Sequence, residues 1–279
     1  MTTLVPPPLR PGDRVAVVAP GGPPRRAALL RGIAWLEQRQ FVVDRGAHVL
    51  DRRGYLAGDD AGRADDLNRA FADPGLKAVW FARGGYGSNR IAEAVLGDLP
   101  EGAEGKIYLG YSDAGFLLAG LHKAGLNVAW GPMPQDILRA GGEAAIGRAL
   151  DWLVRRDPAA IEPDLQPPAM AFNLTVLSNL LGTPLEPDFA GVDLMVEDLG
   201  EHLYRIDRTM FHVTASSNIR GAARLRLGRV ADVLPNDVEF GADEVAIVSD
   251  WCARSGIAYG GRADIGHDTA NRVVPFGRR

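Results

Sequence analysis

Cysteine is almost missing from this 279-residue chain: Cys252 stands alone, so no internal disulfide and no thiolate metal cluster can form. Histidine is scarce as well, with five residues scattered along the chain and no H-E-x-x-H or comparable ligand set, so no metal or other cofactor is expected. No apolar run approaches the length of a membrane span. The first residues, Met1–Thr–Thr–Leu–Val–Pro–Pro–Pro8, lack the basic start and apolar core of a leader, so a cytoplasmic protein is expected. Charge of one sign is lacking too. A formal net charge of −4 offers no basic field for nucleic acid or for an anionic membrane surface. Low-complexity tracts and internal repeats are absent.

What is present alternates between two periods. Arg14–Val18 is a short β-rich run, and Leu29, Leu30, Ile33 and Leu36 then recur at helical spacing. Phe41–Val43 opens a second strand, Asp59–Asp60 start a helix bearing Leu67, Ala70 and Phe71, and Leu76–Phe81 reads as a third strand. Asp65–Asp66 read as part of a solvated helix face. Ile107–Leu109 and Val128–Trp130 continue the series. Strand alternating with helix, without hairpin signals, argues for an α/β fold with a mostly parallel sheet covered on both faces. In such sheets ligands bind beyond the carboxyl ends of the strands. Arg83–Gly–Gly–Tyr–Gly87, Ser112 and Gly131 all follow strand ends.

A helix over 141–156 and a stretch with four prolines at 157–168 then suggest a linker. Beyond it come a helix near Leu174, a strand Val192–Val196 ending at Glu197–Asp198, and a helix carrying Leu203, Ile206, Met210 and Val213. An extended region over 219–233, a helix over 244–254 and a strand at Ile257–Tyr259 complete the second half, with Cys252 expected as a buried, inert thiol. The implied organisation is a front unit over 1–140, a helix and linker over 141–170, and a rear unit over 171–279.

Ser112 ends an apolar strand and is followed at once by a helical pattern, the strand–turn–helix corner that pushes a hydroxyl out of a sheet. Gly110 and Ala114 supply the small residues the corner needs, although the second glycine of G-x-S-x-G is missing. The alternative is a serine in an ordinary turn with Asp113 capping the next helix. A serine hydroxyl is a poor nucleophile without a base. His48 lies in an extended stretch, His122 and His212 within helices, and His202 at a helix start. His267 alone follows a glycine in a loop after a strand. The base needs an orienting acid. Glu197, at a strand end, is favoured over Glu201, whose position suits a helix dipole. Backbone N–H groups of Asp113 and Gly85 would stabilise an oxyanion.

Several segments, taken together and in order, resemble the LD-carboxypeptidase family, the serine peptidases of the S66 type. They are Leu9–Pro20, Tyr55–Asp60, Ala82–Gly87, Gly110–Asp113, Asn173–Leu177, Glu197–Glu201, Tyr204–Arg208, Gly266–His267 and Pro275–Gly277. The resemblance implies a flavodoxin-like N-terminal parallel-sheet domain with the nucleophile and a smaller C-terminal α/β domain with acid and base. It also implies a homodimer. The implied reaction is hydrolysis of the amide between an L-centre and the terminal D-amino acid of a murein tetrapeptide, with Ser112, Glu197 and His267 as catalytic residues. Arg83 and Tyr86 would bind the substrate, Arg83 through the free carboxylate. The alternative for Arg83 is an internal ion pair with Asp113 or Glu197, while Arg205 and Asp207 are expected to be structural. Where relatives carry a glycine pair before Asn–Leu–Thr, this chain has Ala171–Phe172, and a phenylalanine there could narrow the cleft or change which substrate fits. Two other readings stay open: a microcin-immunity-type peptidase that cleaves a peptidyl- or aminoacyl-nucleotide, and a non-catalytic two-domain binder of small molecules.

Overall fold

The computed structural model describes residues 6–277. Two parallel-dominated sheets organise the chain. The first contains β1 (Arg14–Val18), β2 (Val42–Arg45), β3 (Leu76–Phe81), β4 (Ile107–Gly110), β5 (Asn127–Trp130) and the late strand β10 (Val274–Pro275). Its order is β10-β5-β4-β3-β1-β2, parallel throughout except for the antiparallel β10–β5 pair. Strand order reverses at β1, so the loops after β1 and β3 diverge around a crevice, as in flavodoxin-like folds. The central strand β4 is buried along its whole length, which explains its uninterrupted apolar sequence.

Helices α1 (Arg26–Glu37), α2 (Asp60–Ala72), α3 (Asn89–Leu96), α4 (Gly115–Lys123) and α5 (Gly142–Arg155) cover this sheet. Helix α2 begins where its cap predicts, with the Asp59 carboxylate accepting from the Gly62 N–H at 2.8 Å. The second, smaller sheet contains β6 (Ala169–Asn173), β7 (Asp193–Leu199), β8 (Arg224–Ala231) and β9 (Tyr259–Arg262), in that order and all parallel. Helices α6 (Leu174–Leu180), α7 (Leu203–Ala215) and α8 (Glu244–Ser255) pack on it. Apolar residues of both sheets, from Phe81 and Tyr108 to Leu194 and Leu225, share one continuous core. Among the described helices none is long and apolar enough to cross a membrane.

Several expectations are corrected. Between the linker and the helix near Leu174, where the sequence reading names no strand, lies β6, and β10 closes the first sheet. The strand expected to end before Glu197 runs on to Leu199, so Glu197 and Asp198 lie inside β7. His48 is in a turn after β2, not an extended stretch. Asp66 is buried rather than solvated, because its carboxylate accepts the His48 N–H at 3.0 Å. Phe172 cannot narrow a cleft: fully buried, it packs edge-on against Phe189 and Phe276. Cys252 is buried, and loss of solvent pushes its thiol up to about 11.

Candidate active site

Strand β4 delivers Ser112 to the crevice in a strained conformation. Its φ is +62°, a left-handed value that side chains rarely adopt, and a short 3₁₀ turn over Ser112–Ala114 leads directly into α4. Strain of this kind persists only where surroundings enforce it. Gly84 makes room for it, packed so closely that a Cβ on it would lie 2.8 Å from the Ser112 Cβ. Glycine is obligatory at that point of approach. The neighbouring Gly85 has φ +92°, and the Gly22 N–H donates to the Gly84 carbonyl at 2.8 Å, joining the loops after β1 and β3.

Asp113 does not cap α4. Its buried carboxylate accepts from the N–H groups of Gly87 (3.3 Å) and Ser88 (2.9 Å), so it caps the entrance of α3 and holds the glycine-rich loop over Ser112. Burial pushes that carboxyl above the usual carboxylate range, against the pull of the Ser88 and Gly87 donors. The backbone N–H groups of Gly85 and Asp113 have no acceptor among the described hydrogen bonds and are available to an oxyanion.

The second half of the chain brings His267 to Ser112. His267 Nε2 lies 2.9 Å from Ser112 Oγ, and its Nδ1 lies 2.5 Å from Glu197 Oε2. Both imidazole and carboxylate are shielded, with side-chain exposures of 8% and 0%. Burial works against the imidazolium, but the Glu197 carboxylate outweighs it, so His267 titrates above an ordinary histidine. Glu197 also accepts from Asn173 Nδ2 at 3.3 Å, and Gly228 of β8 leaves it room, since a Cβ there would sit 2.9 Å from the Glu197 Cβ. Asp198 accepts from Asn173 (2.9 Å) and Thr175 (3.1 Å), and burial pushes it up to about 6. Glu201, the competing acid, faces Arg205 at 3.4 Å instead. Asp207 accepts from Trp251 Nε1 at 2.9 Å, in keeping with a structural role.

These groups open onto a cleft of about 780 Å³ whose wall includes Arg83, Tyr86, Tyr55, Phe116 and Arg139. Arg83 donates to the Pro23 carbonyl at 2.6 Å and makes no ion pair with Asp113 or Glu197 among the described contacts. Tyr86 is about half exposed on that wall. The remaining histidines lie elsewhere. His122 packs against Phe276, His202 stacks on Tyr204, and His212 meets Ser178 Oγ at 2.8 Å. His48, Asp65 and Asp66 bring one ligand atom each within 4.8 Å of one another, outside the cleft, but His48 Nδ1 is already engaged by Asp51 at 2.8 Å.

Residues missed by spacing are Gly84, Asn173, Asp198, Gly228 and Arg139. Asn173 had a signal, since it lies in a segment that carries the resemblance; Gly228 and Arg139 had none.

The family model described as the LD-carboxypeptidase N-terminal domain matches residues 15–131, and that of the LD-carboxypeptidase C-terminal domain matches 168–279. The chain belongs to the LD-carboxypeptidase family. It is therefore a serine peptidase, a hydrolase. The probable murein peptide carboxypeptidase of Bacillus subtilis is 31% identical, over 97% of this chain and 89% of that one. The murein tetrapeptide carboxypeptidase of Pseudomonas aeruginosa is 27% identical, over 95% and 91%. Among solved structures, the muramoyltetrapeptide carboxypeptidase of Oxalobacter formigenes superposes with a TM-score of 0.82 at 27% identity, covering 95% of this chain and 92% of that one. The microcin C7 self-immunity protein, solved with glutamyl sulfamoyl guanosine, shares the fold of this LD-carboxypeptidase family member with a TM-score of 0.83 at 18% identity, covering 98% and 94%.

Proposed function

We propose that this protein is a serine LD-carboxypeptidase that removes the terminal D-amino acid from a murein tetrapeptide, with Ser112 as nucleophile, His267 as general base and Glu197 as orienting acid. The observation that carries the reading is the unbroken hydrogen-bonded line from Ser112 Oγ through His267 to Glu197. Ser112 Oγ attacks the carbonyl carbon of the L-centre while His267 Nε2 takes the hydroxyl proton. Glu197 stabilises the resulting imidazolium without taking its proton. The tetrahedral oxyanion lies against the N–H groups of Gly85 and Asp113, which need no reorganisation to receive it. Collapse breaks the C–N bond, and His267 returns the proton to the departing amine. Water, deprotonated by His267, then attacks the acyl-enzyme; tripeptide carboxylate leaves and Ser112 regains its proton.

Arg83 grips the terminal carboxylate and Tyr86 flanks the peptide, a role supported by their places on the cleft wall. The test is mass-spectrometric conversion of tetrapeptide to tripeptide. Turnover by the wild type, lost in Ser112→Ala and His267→Ala, is expected; undiminished turnover in Ser112→Ala would exclude the nucleophile. A cytoplasmic site of action and a homodimer belong to the same proposal, supported by the family resemblance and tested by cell fractionation and light scattering.

One observation favours a second reading, cleavage of an aminoacyl-nucleotide. Tyr55 and Tyr86 stand exposed on the cleft wall, where a base can stack. Preferential cleavage of an aminoacyl-nucleotide over the tetrapeptide would select it.

A further inference from the structure

We propose that Arg139 is a positioning residue for His267, gripping the base from the nucleophile's half of the molecule; this rests on the reading of Ser112 and His267 as nucleophile and base. The loop that carries His267 leaves the second sheet after β9 and returns to the first sheet as β10. Residues of the first half hold its far end: Thr269 Oγ1 donates to the Ala140 carbonyl at 2.9 Å, and Trp130 Nε1 donates to Asn271 Oδ1 at 3.0 Å. Neither touches His267. Among the described hydrogen bonds, the only one to the His267 backbone comes from Arg139, whose Nη1 donates to its carbonyl at 2.5 Å.

Arg139 is itself fixed from the nucleophile's side. The same Nη1 lies 3.4 Å from the Tyr111 hydroxyl, and Nε lies 3.5 Å from Asp136 Oδ1. Asp136 is buried and anchored by the Met133 N–H at 2.9 Å, and the Tyr111 hydroxyl donates to it at 3.3 Å. Tyr111 immediately precedes Ser112, and its ring meets the imidazole edge-on, centroids 5.1 Å apart. One cluster thus adjoins the nucleophile through the chain and the base through a carbonyl and a ring. The Arg139 side chain is 41% exposed, so it adds little to the core and can be changed without unfolding the protein.

Misplacing a reacting group by about 1 Å can cost about 10²-fold in rate. Arg139→Met, similar in length but without donor or charge, is expected to lower kcat about 10- to 100-fold with KM changed less than about threefold. The pH profile provides a readout that a merely structural residue would not move. The charged or titratable groups facing His267 are Glu197 and Asp198 from β7, Tyr111 after β4, and Asp136 and Arg139 after β5. Removing the cation leaves the carboxylates unopposed, so the imidazolium is held more firmly and the acid limb of kcat/KM moves to higher pH. Arg139→Lys keeps a donor and the charge and should restore most of kcat and the original limb.

The second-order rate of Ser112 labelling by a fluorophosphonate reads the same activation without any peptide, and should fall in parallel. Wild-type labelling without tetrapeptide turnover would overturn the proposed substrate and leave this inference standing if Arg139→Met still labels slowly. Equal labelling of wild type and Arg139→Met, or a rise in KM with kcat and the acid limb unchanged, would overturn the inference. Failure of the wild type to label at all would overturn both.

Discussion

Replacing Glu197 by glutamine tests the site at its most shielded point. The carboxylate accepts at both oxygens, from His267 Nδ1 at 2.5 Å and from Asn173 Nδ2 at 3.3 Å, and no water can substitute because its side-chain exposure is 0%. A glutamine can accept at only one end. With its oxygen toward Asn173, the amide N–H₂ faces Nδ1 and drives the imidazole proton to Nε2, the atom that must receive the Ser112 proton. With its oxygen toward His267, two amide N–H₂ groups face each other in a buried site, costing about 1–3 kcal/mol, and the imidazolium still loses its counter-charge. Loss of the correct tautomer in such a site costs about 10⁴-fold. We expect kcat/KM to fall about 10³- to 10⁴-fold, equivalent to ~4–5.5 kcal/mol of transition-state stabilisation. The measurement is steady-state release of the D-amino acid, with thermal unfolding as a check on the fold. Activity within about tenfold of the wild type would refute the assignment, and Glu201→Gln, where the carboxylate faces the half-exposed Arg205, should stay within that range.

The remaining predictions concern Ser112, its neighbouring loop, His267 and the core. Ser112→Gly should abolish labelling of this residue by a serine-directed probe and, by relieving the φ of +62°, stabilise the fold by about 1 kcal/mol, read as a rise in Tm of a few degrees. Gly84→Ala places a methyl group 3.1 Å from the Asp113 N–H and should lower kcat by at least about 10², read in the same turnover assay. The acid limb of kcat/KM should lie above that of an ordinary histidine, because Glu197 raises His267 and the base works only when neutral; a limb below it would contradict the pairing. Phe172→Ala should destabilise the fold by about 3–5 kcal/mol in denaturant titration while leaving KM unchanged, since the ring faces the core and not the cleft.

Much of this was legible in the residues themselves. The burial of Ile107–Gly110 on both faces demands an unbroken apolar run, and a serine immediately after such a run is visible without coordinates. The caps of α2 and the strand–helix alternation of the first half are equally local. The alternative in which Asp113 caps α4 fails for a physical reason. A carboxylate just ahead of a helix reads as that helix's cap, yet a loop 25 residues earlier in sequence offers two unsatisfied amides closer in space. The readings of Asp66 as solvated and of Phe172 as a cleft residue fail because which face of an element is buried depends on what packs against it.

Local pattern, then, determined the elements, the parallel first sheet and the corner that exposes Ser112, because backbone preference and apolar periodicity act over a few residues. Position at strand ends and loops singled out Ser112, Glu197 and His267, and the family likeness strengthened that choice. Only the tertiary structure decided that they meet. Ser112 and His267 are 155 residues apart, and their 2.9 Å contact depends on β10 returning to the first sheet and on Arg139 reaching the base. Such contacts are set by how two sheets pack over one core, and short-range preference carries no record of that.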